Sequence, residues 1–126
     1  MKKISVLSLA IFYLIPTMSY AQIYPEDKVE EKEYFRCAAC HTIKEGGRHK
    51  VGPNLFGIFG KEAGTNPTYS KFSKEIKESG IIWTEDTVDM YIANSKKFIP
   101  GNKMASGRIK DKKVRDAIIA YMKTFQ

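Results

Sequence analysis

Residues 37–41 read Cys-Ala-Ala-Cys-His, and no other stretch constrains the fold of this chain as strongly. Two thiols three residues apart, with a histidine directly after the second, form the pattern that attaches a c-type haem. Each thiol can add to one vinyl group and form a thioether. The histidine that follows then lies under the ring, where its imidazole can ligate iron. A covalent haem with one protein ligand allows electron transfer, gas binding or peroxide chemistry, and the rest of the chain must choose among them.

Cys37 and Cys40 are the only cysteines. A thioredoxin-like redox pair should sit beside a strand–helix unit, and no strand pattern precedes Cys37. Zinc would need His41 and His49 to complete four ligands. His41 touches Cys40 in sequence and His49 lies eight residues further on, a poor match to finger spacing. Haem alone gives the adjacent histidine a purpose.

The first residues have the layout of a secretory signal: Lys2 and Lys3, an apolar run from Ile4 to Ile15, Pro16, and small residues at Ser19 and Ala21. A run of twelve residues is short for a span that needs about 20. The expectation is therefore a signal peptide over 1–21, cleaved after Ala21, and one domain over 22–126. Export to the periplasm follows; an uncleaved anchor facing the same compartment is the alternative. Losing Lys2 and Lys3 takes the formal charge from +7 to +5. A basic surface draws acidic partners. Nucleic acid is not expected, because neither a recognition helix nor an aromatic stacking pattern is present. A domain this small has a marginal core, and a large apolar cofactor would supply buried surface.

Helical periodicity dominates the rest. The charged stretch Val29–Arg36 predicts a short helix leading into the haem motif. Residues 42–67 are rich in Gly, Pro and Asn and read as one long loop, of the kind that is usually functional. Tyr69, Phe72 and Ile76 predict a short helix ended by Gly80. Thr84 is placed to cap the next helix, with Glu85 and Asp86 in its first turn and Val88, Tyr91 and Ile92 facing inward. Asn94 ends it, and Pro100-Gly101 marks a turn. Asp111 caps a last helix whose apolar stripe is Val114, Ile118, Tyr121, Met122 and Phe125.

The second axial position of the iron decides the function. An open position permits peroxide or gas chemistry; a filled one favours outer-sphere electron transfer. Methionine opposite histidine also raises the reduction potential. Beyond the leader the chain has three methionines. Met90 and Met122 lie in helical patterns and are expected in the core. Met104 lies in Ile99-Pro100-Gly101-Asn102-Lys103-Met104-Ala105-Ser106-Gly107, a loop able to carry a side chain across the haem face.

At this point the chain resembles the class I c-type cytochromes, in particular mitochondrial and bacterial soluble cytochromes c. The resemblance rests on an ordered series: Cys37 to Thr42, Gly46 to Leu55, Gly57 to Gly60, Tyr69-Ser70, Gly80 to Trp83, Asn94 to Met104, and Ile118 to Tyr121. It covers nearly all of residues 22–126. It implies a small, monomeric, single-domain all-α fold, helices and long loops wrapped around one covalent haem c, with His41 and Met104 as axial ligands. It implies an electron carrier and not an enzyme. A haem peroxidase with a labile sixth ligand, or a haem subunit anchored to a larger redox complex, are the rivals; no acid–base pair for O–O cleavage is evident.

Further roles are implied by the same resemblance. Pro53 matches the position whose carbonyl accepts a hydrogen bond from the haem-ligand imidazole. Tyr69 and Trp83 match positions that reach a buried haem propionate. Tyr91 matches a tyrosine near the methionine sulfur, and Asn102 a position that often bonds a propionate. His49 reads as a structural loop residue. Arg36, Lys50, Lys96, Lys97, Lys103 and Lys110 match basic positions around the exposed haem edge, where they would steer acidic redox proteins such as a cytochrome bc complex, a terminal oxidase or another reductase or dehydrogenase.

Three departures from the family pattern stand out. The usual Gly and Phe before the motif are missing, with Tyr34 and Phe35 standing nearer to Cys37, which predicts a rearranged contact between first and last helices. Ser106 stands where many relatives have a phenylalanine beside the haem edge. The stretch from Tyr69 to Trp83 is three residues longer than in the familiar mitochondrial form.

Overall fold

The computed structural model describes residues 26–126. The proposed leader, residues 1–21, lies outside the described residues. Five helices follow in order: α1 Glu26–Ala38, α2 Lys74–Lys77, α3 Glu85–Ala93, α4 Ser95–Phe98 and α5 Lys112–Lys123. The fold is all-α, as expected. No helix among the described residues is long and apolar enough to cross a membrane.

The frame is α1 and α3 packed on α5. Ile118 and Ile119 of α5 bury against Val88 and Ile92 of α3, and Tyr34 of α1 joins the same cluster. The α1–α5 crossing is made by Tyr34 and Tyr121, with ring centroids 5.1 Å apart, while Phe35 is 67% exposed. Of the two aromatics before the motif, it is therefore Tyr34 that docks the first helix on the last.

Local signals set the helix ends. Thr84 accepts from the Thr87 N–H while the Thr87 hydroxyl accepts from the Thr84 N–H, a capping box for α3. Asp111 accepts from Lys113 N–H at 2.9 Å and starts α5. Asn94 ends α3, but it also accepts from Lys97 N–H and starts α4, a short helix that periodicity did not suggest.

Other expectations change. The helix predicted over Val29–Arg36 runs from Glu26 to Ala38 and so includes Cys37; nothing in that stretch breaks a helix. The helix predicted from Tyr69 contracts to Lys74–Lys77, capped by Ser73. Tyr69 is taken by the loop instead: its hydroxyl donates to the Val51 carbonyl at 2.5 Å and its ring packs against His49 and Phe72. Met90 is 47% exposed and does not join the core. It stands two residues from both Val88 and Ile92, about 200° around the helix, so burying them turns it outward. Met122 is buried as expected. The long loop 42–67 holds no helix, and its far end makes an isolated bridge between Glu62 and Ile82.

Candidate haem site

The site grows from the C-terminal end of α1. Beyond that helix a tight turn is closed by Cys40 N–H and His41 N–H, both donating to the Cys37 carbonyl, at 3.0 and 2.9 Å. One turn thus presents Cys37, Cys40 and His41 together. Both thiols are free and half-buried. Burial pushes the Cys37 thiol up to about 11 against the opposing pull of Arg36, which keeps it a neutral thiol.

His41 is held from the loop that follows. Its Nδ1 lies 2.7 Å from the Pro53 carbonyl. A carbonyl accepts and never donates, so Nδ1 carries the hydrogen and Nε2 keeps its lone pair. Burial lowers the pKa of the ring, the Pro53 bond opposes this, and Lys50 lowers it further. The imidazole is therefore poised as a neutral base. Gly52 makes this possible sterically: a Cβ there would sit 2.2 Å from His41 Cε1. Gly52 N–H donates to the Cys40 carbonyl at 2.8 Å and Lys50 Nζ to the Ala38 carbonyl at 2.5 Å, which lash the loop to the motif. His49 spends both ring nitrogens on this loop and the residue just after it, on Asn54 N–H and the Thr68 hydroxyl.

The Met104 side is built by α3, α4 and the loop after them. Met104 is half-buried and packs on the core that also carries Cys37, Leu55, Phe72, Trp83 and Phe98 at its partly exposed margin. Asn102 is 1% exposed. Its amide donates to the Ser95 and Ile99 carbonyls, both at 2.7 Å, and its oxygen accepts from Met104 N–H at 2.9 Å and the Tyr91 hydroxyl at 3.1 Å. Burial pushes Tyr91 up to about 12, which keeps that hydroxyl a donor. Tyr91 also packs against Trp83, with ring centroids 5.1 Å apart.

Both amide hydrogens of Asn102 go to carbonyls of the chain, and its oxygen holds the Met104 N–H. The hydroxyl hydrogen of Tyr69 goes to the Val51 carbonyl. Trp83 keeps its indole N–H unbonded to any described residue. Arg115 was not singled out by sequence reasoning, yet it is 8% exposed and bonds the Ile109 and Lys110 carbonyls that close the Met104 loop. A cation inside the stripe between Val114 and Ile118 was the signal.

The six basic positions divide. Lys97, Lys103 and Lys110 are exposed and outside the ion pairs of the described residues. Arg36 pairs with Glu33 at 2.9 Å, Lys50 is tied to Ala38, and Lys96 donates to the Asn102 carbonyl. A neutral imidazole with an open Nε2, two thiols on one turn, and a margin of aromatic and aliphatic side chains carrying a thioether fit a large flat apolar group with an iron centre.

A model of the family described as Cytochrome c matches residues 21–126. The chain belongs to the cytochrome c family. Cytochrome c of Kluyveromyces lactis is 48% identical over 87 residues, covering 69% of this chain and 78% of that protein. Cytochrome c of Sesamum indicum is 41% identical over 107 residues, covering 83% and 96%. Cytochrome c of Chlamydomonas reinhardtii is 44% identical over 88 residues, covering 70% and 78%. The cytochrome c family comprises haem-containing electron carriers with one covalent haem c and its iron.

Proposed function

We propose that this protein is an exported, soluble one-electron carrier, its haem joined by thioethers to Cys37 and Cys40 and ligated by His41 and Met104. The observation that carries this reading is the His41–Pro53 hydrogen bond at 2.7 Å. It fixes the tautomer, turns Nε2 away from the Pro53 carbonyl and makes the ring a better donor. The chemistry supplied by the bound group is one-electron exchange between ferric and ferrous iron.

The chain's own residues keep that exchange cheap. His41 is locked by Gly52 and Pro53. Met104 is carried on a loop fastened to α3, α4 and α5. Fixed ligands leave little to rearrange when the metal charge changes, and the soft thioether favours the ferrous state. Trp83 is the donor we assign to a haem propionate, with Tyr91 and Asn102 supporting the Met104 loop. Lys97, Lys103 and Lys110, with Lys96, Lys50 and Arg36 at the margins, would draw acidic partner proteins to the haem edge. The partner class is an electron-transfer complex such as a cytochrome bc complex, a terminal oxidase or another reductase or dehydrogenase. The basic and apolar N-terminal layout supports export to the periplasm with cleavage after Ala21.

A redox titration followed by absorption tests the reading. The expected result is a covalent haem spectrum, the ferric absorption band of methionine–iron bonding, and loss of that band in Met104→Ala. A colourless protein, or a band that survives the substitution, would overturn it.

A further inference from the structure

Two polar side chains, Ser95 and Asn102, are each 1% exposed. Buried polar groups cost free energy unless bonded, and these two tie the Met104 loop to α4. Asn102 fills every hydrogen-bonding site it has: two amide hydrogens to the Ser95 and Ile99 carbonyls, and its oxygen from Met104 N–H and Tyr91. Ser95 N–H donates to the Gly107 carbonyl at 2.8 Å and its hydroxyl to the Met104 carbonyl at 3.2 Å. The Met104 residue is thus held at both of its backbone polar groups, N–H by Asn102 and C=O by Ser95. Gly107 allows the approach, since a Cβ there would lie 2.5 Å from Ser95 Cβ and Oγ.

Lys103, Ala105 and Ser106, the immediate neighbours of Met104, are exposed. A segment with so little buried apolar area opens locally at low cost, so the polar contacts govern how firmly it stays closed. We infer that Ser95 and Asn102 form a buried latch whose strength sets how readily Met104 leaves the iron. They are positioning residues, acting through the Met104 backbone. The inference rests on Met104 being the axial ligand.

The test is imidazole binding to the ferric full-length holoprotein, followed by loss of the methionine–iron band. Imidazole takes the iron when Met104 departs, so its affinity reports loop opening. Asn102→Ala removes four side-chain hydrogen bonds and leaves the Met104 N–H and the Tyr91 hydroxyl without their acceptor, and should tighten imidazole binding at least about tenfold. Ser95→Ala loses one long hydroxyl bond and should tighten it several-fold. Ser79→Ala loses a similar hydroxyl-to-carbonyl bond, to Ile76 at 2.8 Å, but outside the loop, and should bind imidazole as the parent does. Denaturant midpoints measured in parallel separate a purely structural role, which would lower the midpoint and leave imidazole affinity in place. If the parent protein has the band and both Ser95→Ala and Asn102→Ala bind imidazole as it does, the latch is overturned. If the parent lacks the band, the ligand assignment beneath it fails instead. Ser95→Ala keeps the question open to test should Asn102→Ala not assemble.

Discussion

Arg115 Nε donates to Asp89 Oδ1 at 2.8 Å, and this pair ties α5 to α3. The two side chains are 10% and 21% exposed. The other end of the same guanidinium holds the Ile109 and Lys110 carbonyls, at 2.9 and 2.8 Å. One cation therefore joins two helices and the segment that leads away from Met104.

Removing it strands a half-buried carboxylate and two carbonyls. Arg115→Ala should cost about 3 kcal/mol in a denaturant titration. The pair of Lys123 with Glu85 also spans α5 and α3, at 2.6 Å, but its side chains are 50% and 58% exposed. Lys123→Ala should change stability by less than about 0.5 kcal/mol. Equal losses in the two variants would refute this ranking.

Tyr34 has a buried hydroxyl with no partner among the described residues. Burial raises its pKa strongly, with the Cys37 thiol and Tyr121 adding to the rise. Tyr34→Phe keeps the contact with Tyr121 and removes the desolvated oxygen. It should be neutral or stabilising by up to about 1 kcal/mol, which is a rise in melting temperature of up to several degrees. Tyr34→Ala should cost about 3 kcal/mol or more through the cavity. A clear loss of stability in Tyr34→Phe would show that the hydroxyl has a partner.

The Tyr91 hydroxyl is raised from 10.0 to about 12 by burial. A raised acid group stabilises the fold fully below its unfolded pKa and loses that contribution as pH climbs through the folded value. The window is therefore about pH 10 to 12. Ionisation also ends its donation to Asn102. Tyr91→Phe should retain more of its stability across that window than the parent, by up to roughly 2 kcal/mol. Parallel stability curves for the two proteins between pH 9 and 12 would rule this out.

Lys97, Lys103 and Lys110 should govern encounter with an acidic redox partner. Replacing all three by Glu should slow second-order electron transfer by about tenfold or more at low salt. The difference should shrink as ionic strength rises past about 0.15 M. Stopped-flow rates that do not respond to salt would eliminate electrostatic steering.

Cofactor, fold class and the principal caps were legible in the sequence because each depends on residues close together along the chain. Cys37, Cys40 and His41 occupy one turn; Thr84 and Asp111 bond amides two or three positions away; α5 carries its own 3.6-residue period. What the chain alone could not decide depends on groups brought together by folding. The resemblance offers Asn102, Tyr69 and Trp83 as three residues able to reach a propionate. In the folded chain Ser95, Ile99 and Val51 take the hydrogens of the first two, because carbonyls seven, three and 18 residues away arrive within bonding distance. Met90 reads as core until burial of Val88 and Ile92 fixes the rotation of α3. Arg115 looks like an interruption of an apolar stripe until Asp89, 26 residues away, stands opposite it. Local spacing determines which groups a residue offers; tertiary packing determines which are already spent, since each buried donor must find its acceptor wherever the fold puts one.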